Sequence, residues 1–250
     1  MLTAYARGAD GQIAQARDAA DAIAAGEAVW IDLLNPTPEE EQRVEAAFAI
    51  DAPTPAERTA LEDSARLYEE NGALVLTATV LSSRDTDRFA SDAVSFVLTK
   101  GSLITVREID SRAFQIGAGR ASARIQNAAS GAEVFLALME GLVERTADIL
   151  QAAATKAQTL SHGVFTPAGR GPNMDDALSE LGRLGAVATQ SHASLSSLER
   201  LFTFAQNVCE KHALSGPRLA GLARDASQLE RTADALQNHL TFLLDAALGL

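Results

Sequence analysis

The fold of this chain is decided by its C-terminal run, PRLAGLARDASQLERTADALQNHLTFLLDAALGL, residues 217–250. Small or apolar residues recur in this run at alternating steps of three and four, at Leu219, Leu222, Ala226, Leu229, Ala233, Leu236, Leu240, Leu243, Ala247 and Leu250. Such a heptad seam predicts one long helix packed against a partner helix. The helix would span roughly 51 Å, which exceeds the diameter of a small domain. We therefore expect its end to pack on another helix, on another subunit or on a continuation within a membrane.

A second seam of the same kind lies just upstream and predicts the partner helix over residues 174–212, capped by Asn173. Its members are Ala177, Leu181, Leu184, Ala188, Ser191, Leu195, Leu198, Phe202, Ala205 and Cys209. Because Cys209 lies on the seam, we predict a buried small hydrophobe there and not a nucleophile. A further helix is predicted over 131–161, ended by the glycine- and proline-rich run 163–172.

Residues 1–110 have the pattern of a mixed α/β unit. The run AVWIDLL (28–34) has strand composition and ends at an Asn35-Pro36 turn. Thr37 or Asn35 is expected to cap a helix that runs to residue 50, with glutamates in its first turn. A shorter helix is predicted over 55–63.

Two hairpins follow in the sequence, and no strand is predicted beyond Ser111. The first pairs residues 66–69 with 73–81 around Asn71-Gly72, the strongest short turn signal. The second pairs 93–99 with 102–108 around Lys100-Gly101. These strands are rich in β-branched residues and need cover on at least one face, which the neighbouring amphipathic helices can provide.

Charge is strongly uneven along the 250 residues. Acids outnumber bases by 33 to 21, for a net charge of -12. Residues 1–110 hold 20 acids and 9 bases, whereas 111–250 hold 13 and 12. Such a chain repels nucleic-acid phosphates and anionic lipids, so we expect no nucleic-acid partner and a surface suited to cations or a basic partner. One cysteine excludes a disulfide framework and a four-cysteine zinc site.

The sequence carries no recognisable catalytic or targeting motif. Gly117-Ala118-Gly119-Arg120 follows no strand, so it is predicted to be a helix-terminating loop and not a dinucleotide fingerprint. The histidines (His162, His192, His212 and His239) lack metal-ligand spacing and are expected on the surface or between helices. No signal peptide or membrane span is recognised, and the sequence is predicted to be a soluble intracellular polypeptide that is not an enzyme.

The order of these motifs resembles a known family. Trp30-Ile31-Asp32-Leu33, followed by Asn-Pro and an acidic helix, resembles the WIDL strand of CorA-type magnesium transporters. RLYEENG (66–72), ALVLTATV (73–80) and VSFVLTKGSLITVRE (94–108) follow in the family's order. TFLLDAALGL (241–250) resembles the end of its stalk helix, so the resemblance covers nearly the whole chain.

The resemblance implies an α+β fold, an α/β/α layered mixed sheet followed by long antiparallel helices that end in a long stalk helix. Residues 1–130 would form the acidic layer and 131–250 the helical hairpin plus stalk. Together they would form one subunit of a pentameric funnel on the cytoplasmic face of the membrane. The transmembrane pair with its Gly-Met-Asn signature would follow Leu250, so this segment would sense ions and assemble but could not conduct.

The resemblance also implies regulatory magnesium bound by acids between subunits. The matching acids are Glu57, Glu62 and Asp63 on one side and Asp225 on the stalk, where Arg224 occupies the family's aspartate position. The sequence is thus interpreted as the sensing domain of a channel for magnesium or cobalt. Two alternatives remain open at this point: a zinc transporter of the ZntB type, and a soluble helical scaffold or adaptor.

Overall fold

The computed structural model describes residues 1–60, 62–83, 89–164 and 174–248. Seven strands in this part of the chain form one sheet: β1 Leu2–Arg7, β2 Ile13–Gln15, β3 Ala28–Leu34, β4 Leu67–Glu70, β5 Ala73–Ser83, β6 Phe89–Leu98 and β7 Leu103–Arg107. The strand order is β2-β1-β3-β7-β6-β5-β4. Strands β3 and β7 are parallel, and the other neighbours are antiparallel, so the sheet is mixed.

Helices lie on both faces of this sheet. Their bounds are α1 Ala19–Ala24, α2 Pro38–Phe48, α3 Pro55–Thr59, α4 Arg112–Arg120, α5 Ser122–Gln126, α6 Gly131–Val164, α7 Met174–Asn207 and α8 Gly216–Leu248. One sheet face, with Ile31 and Ile104, packs in a core with Ile23 of α1 and Val44 of α2. The other face packs in a larger core with α4 and the long helices. The predicted α/β/α layers followed by long helices are confirmed.

Several local predictions are confirmed residue by residue. Strand β3 coincides with AVWIDLL, and Thr37 caps α2 in a reciprocal box with Glu40. Both hairpins form, and Asn71 and Gly72 adopt φ values of 51° and 81°, as a tight turn between antiparallel strands requires. The helix predicted over 55–63 is shorter: α3 ends at Thr59, and a separate 3₁₀ turn spans Asp63–Ala65.

The glycine-rich run 117–120 is helical, which corrects the predicted loop. A Cβ on Gly141 of α6 would lie 2.2 Å from the carbonyl oxygen of Gly117 in α4. The missing side chains therefore let the two backbones touch, and this packing outweighs the low helix propensity of glycine. In this place the glycines are a close-packing device between helices.

A buried ion pair holds the centre of the sheet. Arg107 of β7 donates to Asp32 of β3 through Nε and Nη2, at 3.0 and 2.7 Å. Thr105 donates its hydroxyl to the same carboxylate at 2.7 Å. Burial acts to lower the pKa of Arg107, but the hydrogen bonds and charges of Asp32 and Asp110 outweigh it and raise that pKa. Arg107 also lies over the Phe114 ring of α4, 4.8 Å from its centroid.

Helix α7 covers the open edge of β5. Strand β4 pairs only with residues 73–76 of β5, so the edge beyond it has no strand partner within the described part of the chain. Two buried serines of α7 replace that partner: the Leu81 N–H donates to Ser194 Oγ at 3.0 Å and the Thr79 N–H to Ser197 Oγ at 2.9 Å. These bonds fasten the long helices to the sheet.

The two predicted seams meet between antiparallel α7 and α8. The seam residues of α8 from Leu219 to Ala247 are buried except for the half-buried Leu229, and those of α7 from Ala177 to Ala205 are all buried. Helix α7 ends at Asn207, five residues before its predicted end, so the half-buried Cys209 lies in the turn beyond it and not on a helical seam. Asn173, Leu250 and most of the run 163–172 lie outside the described residues.

Removing one edge-capping serine should destabilise the fold. Ser194→Ala leaves the buried Leu81 N–H without an acceptor, which costs about 1–3 kcal/mol. Ser196→Ala, on the half-buried side of the same helix, should change stability by less than about 0.5 kcal/mol. Urea unfolding of the three proteins checks this, and equal midpoints would contradict the role given to Ser194.

Adding a methyl group at two helical glycines should have opposite effects. Gly141→Ala forces α4 and α6 apart and should destabilise by about 1–3 kcal/mol. A Cβ on Gly221 of α8 meets no atom within 4 Å, so Gly221→Ala should stabilise by about 0.5–1 kcal/mol. Thermal unfolding of both variants is the measurement, and a stabilised Gly141→Ala protein would be incompatible with the contact to Gly117.

Candidate divalent-cation site

Glu57 is exposed at the start of α3 and is already committed to capping that helix. Its carboxylate accepts from the backbone N–H and from the hydroxyl of Thr54, both at 2.8 Å. These bonds lower the pKa of Glu57 and favour the charged form. The carboxylate is therefore ionised and oriented, but part of its accepting capacity is in use.

Asp63 lies in the 3₁₀ turn and already has a cationic neighbour. Its Oδ1 is 3.4 Å from Nε of Arg200 on α7, and both side chains are about half exposed, at 56% and 48%. Half-buried Arg66 is close enough that Asp63 acts to raise its pKa, although burial and Arg200 lower it overall. A dication would compete with these two guanidinium groups for the carboxylate of Asp63, so Asp63 is a weak candidate for an inner-sphere ligand.

Glu62 and Asp225 are the two predicted ligands with uncommitted carboxylates. Both side chains are exposed, and neither forms a hydrogen bond or ion pair with any residue that the structure describes. Asp225 lies on α8 next to Arg224, which is also exposed. Adjacent helical side chains point about 100° apart, so the arginine does not occupy the same direction as the carboxylate.

Within one subunit, these four acids do not form a closed metal centre. No group of three or more His, Cys, Asp or Glu side chains placed to hold a metal ion occurs in residues 1–60, 62–83, 89–164 and 174–248. Glu62 and Asp63 are neighbours in sequence, whereas Asp225 belongs to the long helical layer. The prediction that these acids meet across a subunit boundary remains a prediction.

Comparison with known proteins identifies the family. A family model described as "CorA-like Mg2+ transporter protein" matches residues 25–250. The chain belongs to this family.

Two CorA relatives show how much of a whole transporter the chain represents. The magnesium transport protein CorA of Wolinella succinogenes is 30% identical over 179 residues, covering 70% of this chain and 55% of that protein. CorA of Escherichia coli K12 is 28% identical over 225 residues, covering 89% of this chain and 70% of that protein. The chain thus spans about half the length of the first CorA and somewhat more of the second.

Solved structures of the same kind share its fold. The soluble domain of CorA from Methanocaldococcus jannaschii has a TM-score of 0.73 at 14% identity, covering 100% of this chain and 97% of that one. The ZntB cytoplasmic domain from Vibrio parahaemolyticus has a TM-score of 0.62 at 14% identity, covering 98% and 95%. At these identities the likeness concerns the fold and not the ion. Among the described helices of this CorA-like chain, none has the length and apolarity to cross a bilayer.

Other acids of this CorA-like chain form ion pairs between distant segments, and the sequence did not predict these pairs. Glu69 of β4 accepts from Lys211 at 2.9 Å and contacts His212, and these bonds lower its pKa. Glu140 of α6 accepts from Arg218 of α8 at 2.7 Å. Each pair joins segments far apart in sequence, so no local spacing could have indicated it.

His192 of α7 lies between two carboxylates of α8. Its Nδ1 is 3.0 Å from Asp234 Oδ1, and its Nε2 is 3.6 Å from Glu230 Oε1. The predicted interhelical position is confirmed for this histidine. Because the two carboxylates oppose different ring nitrogens, the three side chains do not converge on one point as the ligands of a single metal ion would.

The capping role of Glu57 predicts an acid-sensitive contribution to stability. A carboxylate whose folded pKa lies below its unfolded value near 4.5 stabilises the fold above that pH and loses the contribution as the pH falls through the folded pKa. Glu57→Gln should therefore lower stability at neutral pH, with the gap to wild type closing in acid. Chemical unfolding between pH 7 and acid measures the gap.

The matched control for Glu57 is Glu62→Gln, which removes an exposed carboxylate from the same region. A pH-independent gap for Glu57→Gln, or an equal gap for the control, would contradict the capping account.

Proposed function

We propose that this chain is the cytoplasmic sensing and assembly part of a CorA-like magnesium or cobalt channel. In this proposal several copies, five in the complete transporter, surround an axis. Dications bound by acids between copies stabilise the closed arrangement. The segment itself does not conduct, and it meets the membrane through residues that follow α8.

The observation that carries the proposal is the single uninterrupted α8 of 33 residues. Its seam is packed along α7, and α7 is hydrogen-bonded through Ser194 and Ser197 to the sheet. A continuous helix resists bending, so a tilt imposed at the sheet layer is carried to the far end of α8. This is the mechanical link that gating by a distant ion site requires.

The electrostatic part of the proposal rests on the uncommitted carboxylates. Oxygen ligands suit magnesium, which usually retains several waters and needs only one or two carboxylates. Glu62 and Asp225 are exposed and can supply these from opposite sides of a subunit boundary; Glu57 and Asp63 would contribute through bound water. The ion would offset the repulsion between the acidic layers and favour the closed state by its difference in affinity.

Magnesium should stabilise the folded chain and promote its self-association. With a Kd of about 1 mM, magnesium at about 10 mM would add about 1.4 kcal/mol, which raises the Tm by about 3–6 °C for a chain of this size. Glu62→Gln and Asp225→Asn should each reduce the shift. Thermal unfolding and sedimentation velocity, with and without magnesium, are the measurements.

The control is Glu27→Gln, which removes an exposed carboxylate elsewhere and should retain the full shift. Absence of a shift with both magnesium and calcium would refute the sensing role, as would a shift that survives both site substitutions. A shift produced by zinc and not by magnesium, and lost in the same variants, would favour a ZntB-like zinc transporter.

A further inference from the structure

Arg145 on α6 has no hydrogen-bond acceptor among the residues that the structure describes. None of the hydrogen bonds formed by the described residues involves Arg145, and its Nε is buried from solvent as well. A guanidinium group carries five N–H donors and cannot shed its charge, so an unmatched, half-buried one is costly unless an acceptor reaches it.

The charges around Arg145 do not compensate it. Asp148, one turn further along α6, is bound by Arg120 of α4. Exposed Arg112, also on α4, is close enough to act on Arg145. Burial and the charges of Arg120 and Arg112 lower the pKa of Arg145, against the single opposing charge of Asp148.

Arg145 lines one end of a cleft whose other end is also lined by basic side chains. The cleft has a volume of about 180 Å³. It is lined by Arg145 and Asp148 at one end, by Lys156 and by Arg183 of α7 at the other, and by apolar side chains between them. Glu180 accepts from Arg183 at 2.9 Å and lies 3.9 Å from Lys156.

The charge balance of this cleft is opposite to that of the chain. Three basic side chains line it, Arg145, Lys156 and Arg183, against one acid, Asp148. When Glu180, which pairs with Arg183 and Lys156, is counted as well, three bases against two acids among the described residues leave a surplus of one positive charge on a chain whose net charge is -12. A local positive surplus around a half-buried guanidinium favours a compact anion with several acceptor oxygens.

We propose that the cleft between α6 and α7 binds a phosphoryl oxyanion, with Arg145 as its central ligand and Lys156 as the second cation. The oxyanion accepts hydrogen bonds from the Nη edge of Arg145, and Lys156 supplies a point charge at the far end. The site is distinct from the acids considered for divalent cations and does not depend on the proposed channel function. The phosphoryl group comes from a soluble phosphate compound or from an acidic lipid headgroup.

Pyrophosphate is the probe for the soluble source. Titration by calorimetry in magnesium-free buffer, at constant ionic strength, should give a Kd of about 1 mM or tighter, together with a raised Tm. Arg145→Met keeps the apolar stem and removes the unpaired charge, so it should fold at least as stably as wild type and bind about tenfold or more weakly. Exposed Lys156→Gln should also weaken binding, and it tests the site independently should Arg145→Met fail to fold.

The control is Arg224→Gln, an exposed arginine of α8, which should bind as wild type does. Co-sedimentation with phosphatidylglycerol vesicles, against neutral phosphatidylcholine vesicles, tests the headgroup source: vesicle binding that depends on Arg145, without pyrophosphate binding, assigns the site to lipid. Binding of neither probe overturns the proposal, as does binding that is equal in wild type, Arg145→Met and Lys156→Gln.

Discussion

The ion pair between Asp32 and Arg107 is the contact on which the rest of the structure depends. Both side chains are 8% exposed, so loss of either partner would leave the other charge buried and unpaired. The pair spans the only parallel junction among the described strands, where the hairpin β6–β7 joins β3. The pair lies on the sheet face that packs against α4 and the long helices. Through the ring of Phe114, Arg107 also places α4, and α4 in turn places α6 at the glycine contact.

Local chemistry was enough to predict much of the fold. Strand β3, the Thr37 cap, both hairpins and the α7–α8 seam each depend on residues close in sequence or on a sustained period. Strands β1 and β2 and helix α1 were not predicted, because these short elements have weak sequence patterns and are stabilised by tertiary contacts. Strand β1 pairs with β3, β2 pairs with β1, and α1 packs into the core through Ile23. The helix at Gly117 was predicted wrongly because its stabilising partner, Gly141, lies in another helix.

The candidate acids show why composition alone indicates a cation-binding surface but not a site. Asp63 forms an ion pair with Arg200, and Glu57 accepts hydrogen bonds from Thr54. Glu69 and Glu140 form ion pairs with residues far away in the sequence. Only the folded arrangement distinguishes these committed carboxylates from Glu62 and Asp225. The sequence motifs that carry the family resemblance, WIDL and TVRE, likewise contain the two members of the central ion pair. A sequence motif in this chain can therefore consist of residues that stabilise the fold and give no information about which ion is bound.

The serine caps on β5 also govern how copies of the chain can meet. A strand with free N–H groups along its edge is a template for another strand, and such pairing leads to open-ended ribbons. Ser194 and Ser197 occupy that part of the template from within the same molecule. Another chain therefore cannot extend the sheet along this length of backbone, and any contact between copies here would have to use side-chain surfaces.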